Sequence, residues 1–182
     1  MSTVVFTFGR FQPPTLGHRI LINAVKNIAI TNNADYAVYV SRTQDCKTNP
    51  LSIDVKMKFL HKMFPNTNLV AANDQARTFI EAAKYLNQKF TNIIMVAGSD
   101  RVESYSTLLN KYNGIEFNFN SIKVISAGER DPDSDSVSGM SGTKMRQAAI
   151  DNNIAAFNAG VVGLDDHDAQ LLMQHIRGLV IK

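Results

Sequence analysis

The chain has 182 residues, 45% of them hydrophobic and 19% charged, with a formal net charge of +3. This composition suits one globular domain over 1–182 and excludes a disordered chain. No run of ~18 apolar residues suggests a membrane span, no signal peptide is visible, and a single cysteine, Cys46, excludes an internal disulfide. A reducing, cytoplasmic setting is expected. The small positive excess suits anionic small molecules and is too weak to indicate nucleic acid.

Apolar runs alternate with amphipathic ones along the chain. Thr3–Phe8 reads as a buried strand and Leu16–Ile30 as a helix. Ala34–Val40 is the second expected strand. Ser52–Phe64 is expected to be helical, with Ser52 as N-cap and Val55, Phe59, Leu60 and Met63 on its apolar face. Asn68–Ala71 reads as a short strand and Gln75–Phe90 as a helix facing inward through Phe79, Ala82, Ala83 and Leu86. Asn92–Ala97 is almost wholly apolar, as a central parallel strand requires. Arg101–Tyr112 reads as a helix and Ser121–Ser126 as the fifth strand. A helix follows from Ser141. Beyond about 152, Ile154–Ala159 and Asp166–Arg177 read as short helices on the sheet's edge, with Asp165 or Asp166 as a cap and His167 and His175 on the surface. The fold class is therefore α/β, a doubly wound five-stranded parallel sheet with its loops gathered at the strand C-terminal ends.

Three of those loops carry polar chemistry. The first is Gly9-Arg10-Phe11-Gln12-Pro13-Pro14-Thr15-Leu16-Gly17-His18, between strand one and helix one. Glycine allows a tight turn or close ligand approach. The prolines keep the loop extended and delay the helix. Thr15 can cap the helix, and His18 projects from its first turn beside the free N–H groups. The second follows strand four: Gly98 permits close approach, and Asp100 can receive ribose hydroxyls or cap the next helix. The third is Ser138-Gly139-Met140-Ser141-Gly142-Thr143-Lys144-Met145-Arg146, where hydroxyls, N–H groups and two cations at a helix start suit a triphosphate. The loop after strand two adds Arg42, Lys47 and several hydroxyls ahead of Asn49-Pro50. The acidic stretch with Glu129, Asp131, Asp133 and Asp135 reads as a solvated loop, since its spacing matches no dedicated metal site.

Thr15-Leu16-Gly17-His18 resembles the first motif of the HIGH-motif, cytidylyltransferase-like nucleotidyltransferase superfamily. Ser141-Gly142-Thr143-Lys144-Met145-Arg146 is similar to its second motif, Ser-x-Thr-x-x-Arg. The Gly9-Arg10-Phe11-Gln12-Pro13 opening and Asn49-Pro50 are most similar to archaeal-type nicotinamide mononucleotide (NMN) adenylyltransferases. The resemblance spans roughly residues 3–160 and implies a Rossmann-like nucleotidyltransferase fold.

The same resemblance implies a reaction. A phosphate oxygen of the acceptor attacks the α-phosphate of a nucleoside triphosphate, pyrophosphate leaves, and no covalent enzyme intermediate forms. His18 and Thr15 would act at the transferring phosphate. Arg146, Ser141, Thr143 and Lys144 would hold the leaving group. Phe8, Gly9, Phe11, Gly17, Gly98 and Asp100 would line the nucleotide, and Arg10, Arg42 and Lys47 the acceptor side. Mg2+ would arrive with the triphosphate, without dedicated protein ligands.

ATP and NMN are the implied substrates, giving NAD. The same chemistry on another phosphate monoester such as phosphopantetheine, or a non-catalytic nucleotide-binding module, are the alternatives. The chain has no Trp, so Tyr105 and Tyr112 are the candidates for stacking on a nicotinamide ring. A homo-oligomer is compatible with all three readings.

Overall fold

The computed structural model describes residues 2–128 and 141–178. Five strands, β1 (Thr3–Gly9), β2 (Asp35–Val40), β3 (Leu69–Ala71), β4 (Asn92–Ala97) and β5 (Ser121–Ser126), form one sheet in the order β3-β2-β1-β4-β5. Every pairing is parallel, and β1 lies between β2 (Val5 opposite Tyr36) and β4 (Val5 opposite Ile94). The chain moves outward from β1 to β3, then returns to place β4 on the other side of β1. Between β1 and β4 the order reverses, which opens a crevice at the strand C-terminal ends.

Alternation along the strands divides the core in two. Val5, Val38, Val40, Ile94 and Val96 face one side, where they meet α1 (Leu16–Thr31), α2 (Ile53–Met63) and α5 (Gly142–Ile150). Val4, Phe6, Tyr39, Ile93 and Met95 face the other, against α3 (Phe79–Asn87) and α4 (Val102–Tyr112). Strands with both faces covered read as near-continuous apolar runs, as Asn92–Ala97 of β4 does.

α6 (Ile154–Gly160) and α7 (Asp166–Ile176) do not sit on the sheet's edge, as the sequence suggests. Phe157, Leu172, Met173 and Ile176 enter the first core beside Phe59, Leu60 and Met63, so these helices extend that helical layer. Lys62 of α2 also pairs with Asp168 of α7. His175 is half-buried, edge-on to the Phe59 ring, and Asp165 caps α7 through the Asp168 N–H.

The helix starts follow their side chains. α3 begins at Phe79, four residues later than expected, because Thr78 and Glu81 form a reciprocal cap. The Thr78 N–H donates to Glu81 Oε2 at 3.0 Å, and the Glu81 N–H to Thr78 Oγ1 at 3.2 Å. A 3-10 turn, Ser99–Arg101, precedes α4. In α2 the buried face is Lys56, Phe59, Leu60 and Met63, with Lys56 in the place expected for Val55. The positions i, i+3, i+4 and i+7 start from the lysine, not from the valine.

Candidate active site

A cavity of about 270 Å3 lies at the β1/β4 crevice. Residues Thr7–Gln12 and Val96–Gly98 bring it the two strand ends. Thr15, Gly17 and His18 enter from the start of α1, and Gly142, Thr143 and Arg146 from the start of α5. Two helix N-termini thus converge on one space, each presenting N–H groups and the positive end of its dipole.

His18 is fixed by its own helix turn. The Thr15 N–H donates to His18 Nδ1 at 3.1 Å, and Thr15 Oγ1 lies 2.9 Å from the same nitrogen. With Nδ1 accepting the backbone proton, the neutral ring carries its own proton on Nε2. The Phe11 ring packs against the imidazole with centroids 4.6 Å apart. Phe11 is fully buried and holds φ at 50°, a left-handed conformation that costs a non-glycine residue energy. Gly9 makes that placement sterically open, since a Cβ there would lie 2.6 Å from Phe11 Cε2. Its absent side chain therefore serves the Phe11 ring. Phe11 lines the cavity mainly as the backing of His18.

Arg146 reaches back to the first loop. Its Nη1 donates to the Gln12 carbonyl at 2.6 Å and its Nη2 to Thr143 Oγ1 at 3.1 Å. Gly142 makes the approach feasible, because a Cβ there would stand 2.7 Å from the Gln12 oxygen. Burial and the neighbouring Arg10 charge lower the Arg146 pKa, with Asp45 opposing them. The guanidinium stays charged, so Arg10 and Arg146 are two cations held near each other. Such a pair is relieved by an anion between them.

Gln12 joins the first loop to the one after β2. Its Nε2 donates to the carbonyls of Leu51 (2.8 Å) and Thr43 (3.2 Å), and its Oε1 accepts the Leu51 N–H at 2.9 Å. That second loop is closed on itself by Asp45, which accepts from the Asn49 side chain and from the N–H groups of Thr48, Lys47 and Asn49. Those bonds, led by the Asn49 amide, hold the Asp45 carboxyl well below the usual carboxylate range. Asn49 is buried and braces the loop, whose Thr48 lines the cavity.

Of the residues expected at the site, Phe8, Gly9, Arg10, Phe11, Thr15, Gly17, His18, Gly98, Asp100, Thr143 and Arg146 line this cavity. Four do not. Arg42 turns away to Asp74 at 3.0 Å, and Lys47 is exposed and absent from the cavity lining. Ser141 caps α5 through the Lys144 N–H at 3.2 Å, and Lys144 is exposed. A loop sequence does not determine which side of the chain faces inward, and here Arg42 turns to Asp74. Ser138, Gly139, Met140 and the acidic residues from Glu129 to Asp135 lie outside the described residues.

Tyr105, one of the two stacking candidates, lines the cavity, and the structure adds Arg101 and Thr48. Tyr105 packs on Phe79 with centroids 4.5 Å apart, which leaves a supported aromatic at the cavity wall. Tyr112 does not line the cavity; it packs on the second core instead. Asp100 folds back toward Gly98 and pairs with Arg101 at 3.3 Å.

Lys56 also bears on the site. It is fully buried, and its Nζ donates to the carbonyls of Arg10 (3.2 Å) and Ser41. Burial lowers its pKa to about 8. Its signal in the sequence was a lysine at an apolar helical position. Among the described residues, Asp165, His167 and Asp168 bring three ligand atoms within 4.8 Å of one another. They lie outside the cavity, with Asp165 capping α7 and Asp168 paired with Lys62. No helix among the described residues is long and apolar enough to cross a membrane.

The sequence matches no protein-family model and no curated protein. Solved structures do match. A Vibrio parahaemolyticus protein assigned as a nicotinate-nucleotide adenylyltransferase is 18% identical with a TM-score of 0.57, over 95% of this chain and 99% of that one. The nicotinic acid mononucleotide adenylyltransferase of Plasmodium falciparum is 13% identical in its NaAD complex, with a TM-score of 0.59 over 98% of this chain and 96% of that one. In its APC complex it is 12% identical with a TM-score of 0.58, over the same shares of the two chains. At these identities the likeness is one of fold: the five-stranded doubly wound sheet is the architecture this chain shares with those adenylyltransferases.

Proposed function

We propose that this chain is a nucleotidyltransferase that moves AMP from ATP to the phosphate of a pyridine mononucleotide and releases pyrophosphate. The observation that carries the reading is the convergence of two helix N-termini, His18, Arg10 and Arg146 on one cavity at the β1/β4 switch point. An acceptor phosphate oxygen forms a bond to the α-phosphorus as the bond from that phosphorus to the bridging β-phosphate oxygen breaks. No nucleophilic side chain is needed. The protein's part is to align the two substrates and stabilise negative charge.

In this reading His18 Nε2–H donates to an α-phosphate oxygen, held in aim by Thr15 and Phe11. Arg146 and Thr143, with the α5 N–H groups, hold the β- and γ-phosphates. Arg10 binds the acceptor phosphate, and Tyr105 stacks on the acceptor ring. Asp100 is the one carboxylate among the described lining residues, so Mg2+ is proposed to travel with the triphosphate and spread its charge.

NMN is the proposed acceptor, supported by the Gly9–Pro13 opening and Asn49-Pro50. Nicotinic acid mononucleotide is the second reading, favoured by the names of the structural neighbours and by Arg101 at the wall. The test incubates the protein with ATP and Mg2+ and either mononucleotide, and measures NAD, its acid analogue and pyrophosphate by mass spectrometry. Pyrophosphate coupled to either dinucleotide supports the reading and ranks the acceptors. No product from either, with turnover of another phosphate monoester, moves the acceptor and leaves the chemistry standing.

A further inference from the structure

The β1–β2 ladder ends in an unusual way. Gly9 pairs with Val40, and the Ser41 N–H donates to the Gly9 carbonyl at 2.8 Å. Past that bond the two strands separate, and the carbonyls of Arg10 and Ser41 have no strand to bond to. An orphaned buried carbonyl costs roughly 1–3 kcal/mol. Lys56 meets both with one side chain, from a fully buried position on α2. Its partners are main-chain oxygens, and among the described residues it forms no ion pair. A buried ammonium without a carboxylate is an expensive way to stabilise a core, because methionine of similar length would fill the space without desolvating a charge. Its placement points to the segments it joins.

Both segments belong to the cavity. Arg10 lines it directly, and Ser41 opens the loop that carries Thr48 to its wall. Arg10 and Arg146 repel each other when no anion lies between them. We propose that Lys56 is a positioning residue for the acceptor side of the site, tying the ends of β1 and β2 together so that Arg10 and the 41–51 loop are preset before substrate arrives. This rests on the function proposed above. Preorganisation of this kind acts on binding and alignment and does not require contact with substrate.

The test compares wild type with Lys56→Met, which keeps bulk and loses the donor. Unfolding midpoints at pH 7, amide hydrogen exchange and steady-state kinetics are measured on both. The expected result has three parts. The Lys56→Met midpoint stays close to that of wild type, because relief of the buried charge offsets the loss of the two carbonyl bonds. Exchange quickens about tenfold in peptides covering 41–51 and little elsewhere. The acceptor KM rises about tenfold while the ATP KM stays within about twofold.

Unchanged exchange in 41–51, or faster exchange throughout with a lower midpoint, overturns the inference. So does an ATP KM that rises as much as the acceptor KM. If wild type makes no dinucleotide, the proposed function fails, yet the exchange comparison still decides the anchoring role. Should Lys56→Met not fold, Lys56→Gln is used, because its shorter amide cannot span both carbonyls. Faster exchange confined to 41–51 supports the anchor, and unchanged exchange there overturns it.

Discussion

The Gln12 carbonyl accepts a 2.6 Å hydrogen bond from Arg146 Nη1 across 134 residues of sequence. This contact fastens the start of α5 to the loop that leads into α1. It makes one site of two segments that are each ordinary helix starts. Gln12 is also bonded to Leu51 and Thr43, so three loops share one side chain and its carbonyl.

Arg146→Lys keeps the charge and cannot reproduce bonds to Gln12 and Thr143 at once. A charged hydrogen bond contributes about 1.5–3 kcal/mol, so ATP affinity is expected to fall roughly 10- to 150-fold. Isothermal titration with ATP checks this, and unchanged affinity removes Arg146 from the triphosphate site.

Gly142→Ala leaves every cation in place and adds a methyl 2.7 Å from the Gln12 oxygen. The α5 start must move away, stretching the Arg146 bond. Overpacking of this sort costs about 1–3 kcal/mol. Both the unfolding midpoint and ATP affinity should drop, by differential scanning fluorimetry and titration respectively.

His18→Ala removes the proposed phosphate donor and the acceptor for the Thr15 N–H. Turnover is expected to fall by about 10²–10³, as for the loss of an oxyanion donor. Stability should fall by about 1 kcal/mol, the value of a helix cap. Normal turnover would exclude the role, and wholesale unfolding would show that the ring serves packing against Phe11.

Tyr105→Ala is expected to raise the acceptor KM about 2- to 10-fold, since aromatic stacking contributes about 0.5–1.5 kcal/mol. Tyr105→Phe should behave like wild type. If both variants match wild type, the acceptor ring lies elsewhere.

Lys56 makes stability depend on pH. Its pKa is lowered to about 8 in the native protein, from the ordinary 10.5. Between those values the unfolded chain holds a proton that the native chain has released, so stability rises with pH in that window. The full rise is about 3 kcal/mol. Urea unfolding at pH 7.5, 8.5 and 9.5 should reveal most of it. Lys56→Met should remove the rise; a variant with the same slope as wild type would assign it to other groups.

The sequence by itself determined the sheet and the sites of its loops. Strand and helix periods are local, so Val4–Phe8 and Asn92–Ala97 were legible as buried strands and the alternation as a doubly wound sheet. The two helix starts at Thr15 and Ser141 were legible too, because capping needs only neighbouring residues. The Thr78–Glu81 cap was equally local and would have corrected the start of α3.

Tertiary structure decided which side chains meet. Arg42 and Arg10 carry the same charge, yet only Arg10 lines the cavity, because Arg42 turns toward Asp74. Gln12 and Arg146 meet through a contact no local period encodes. Only the packing of α2 buries Lys56. Its burial depends on two strand ends that separate above it and leave carbonyls for an ammonium to satisfy.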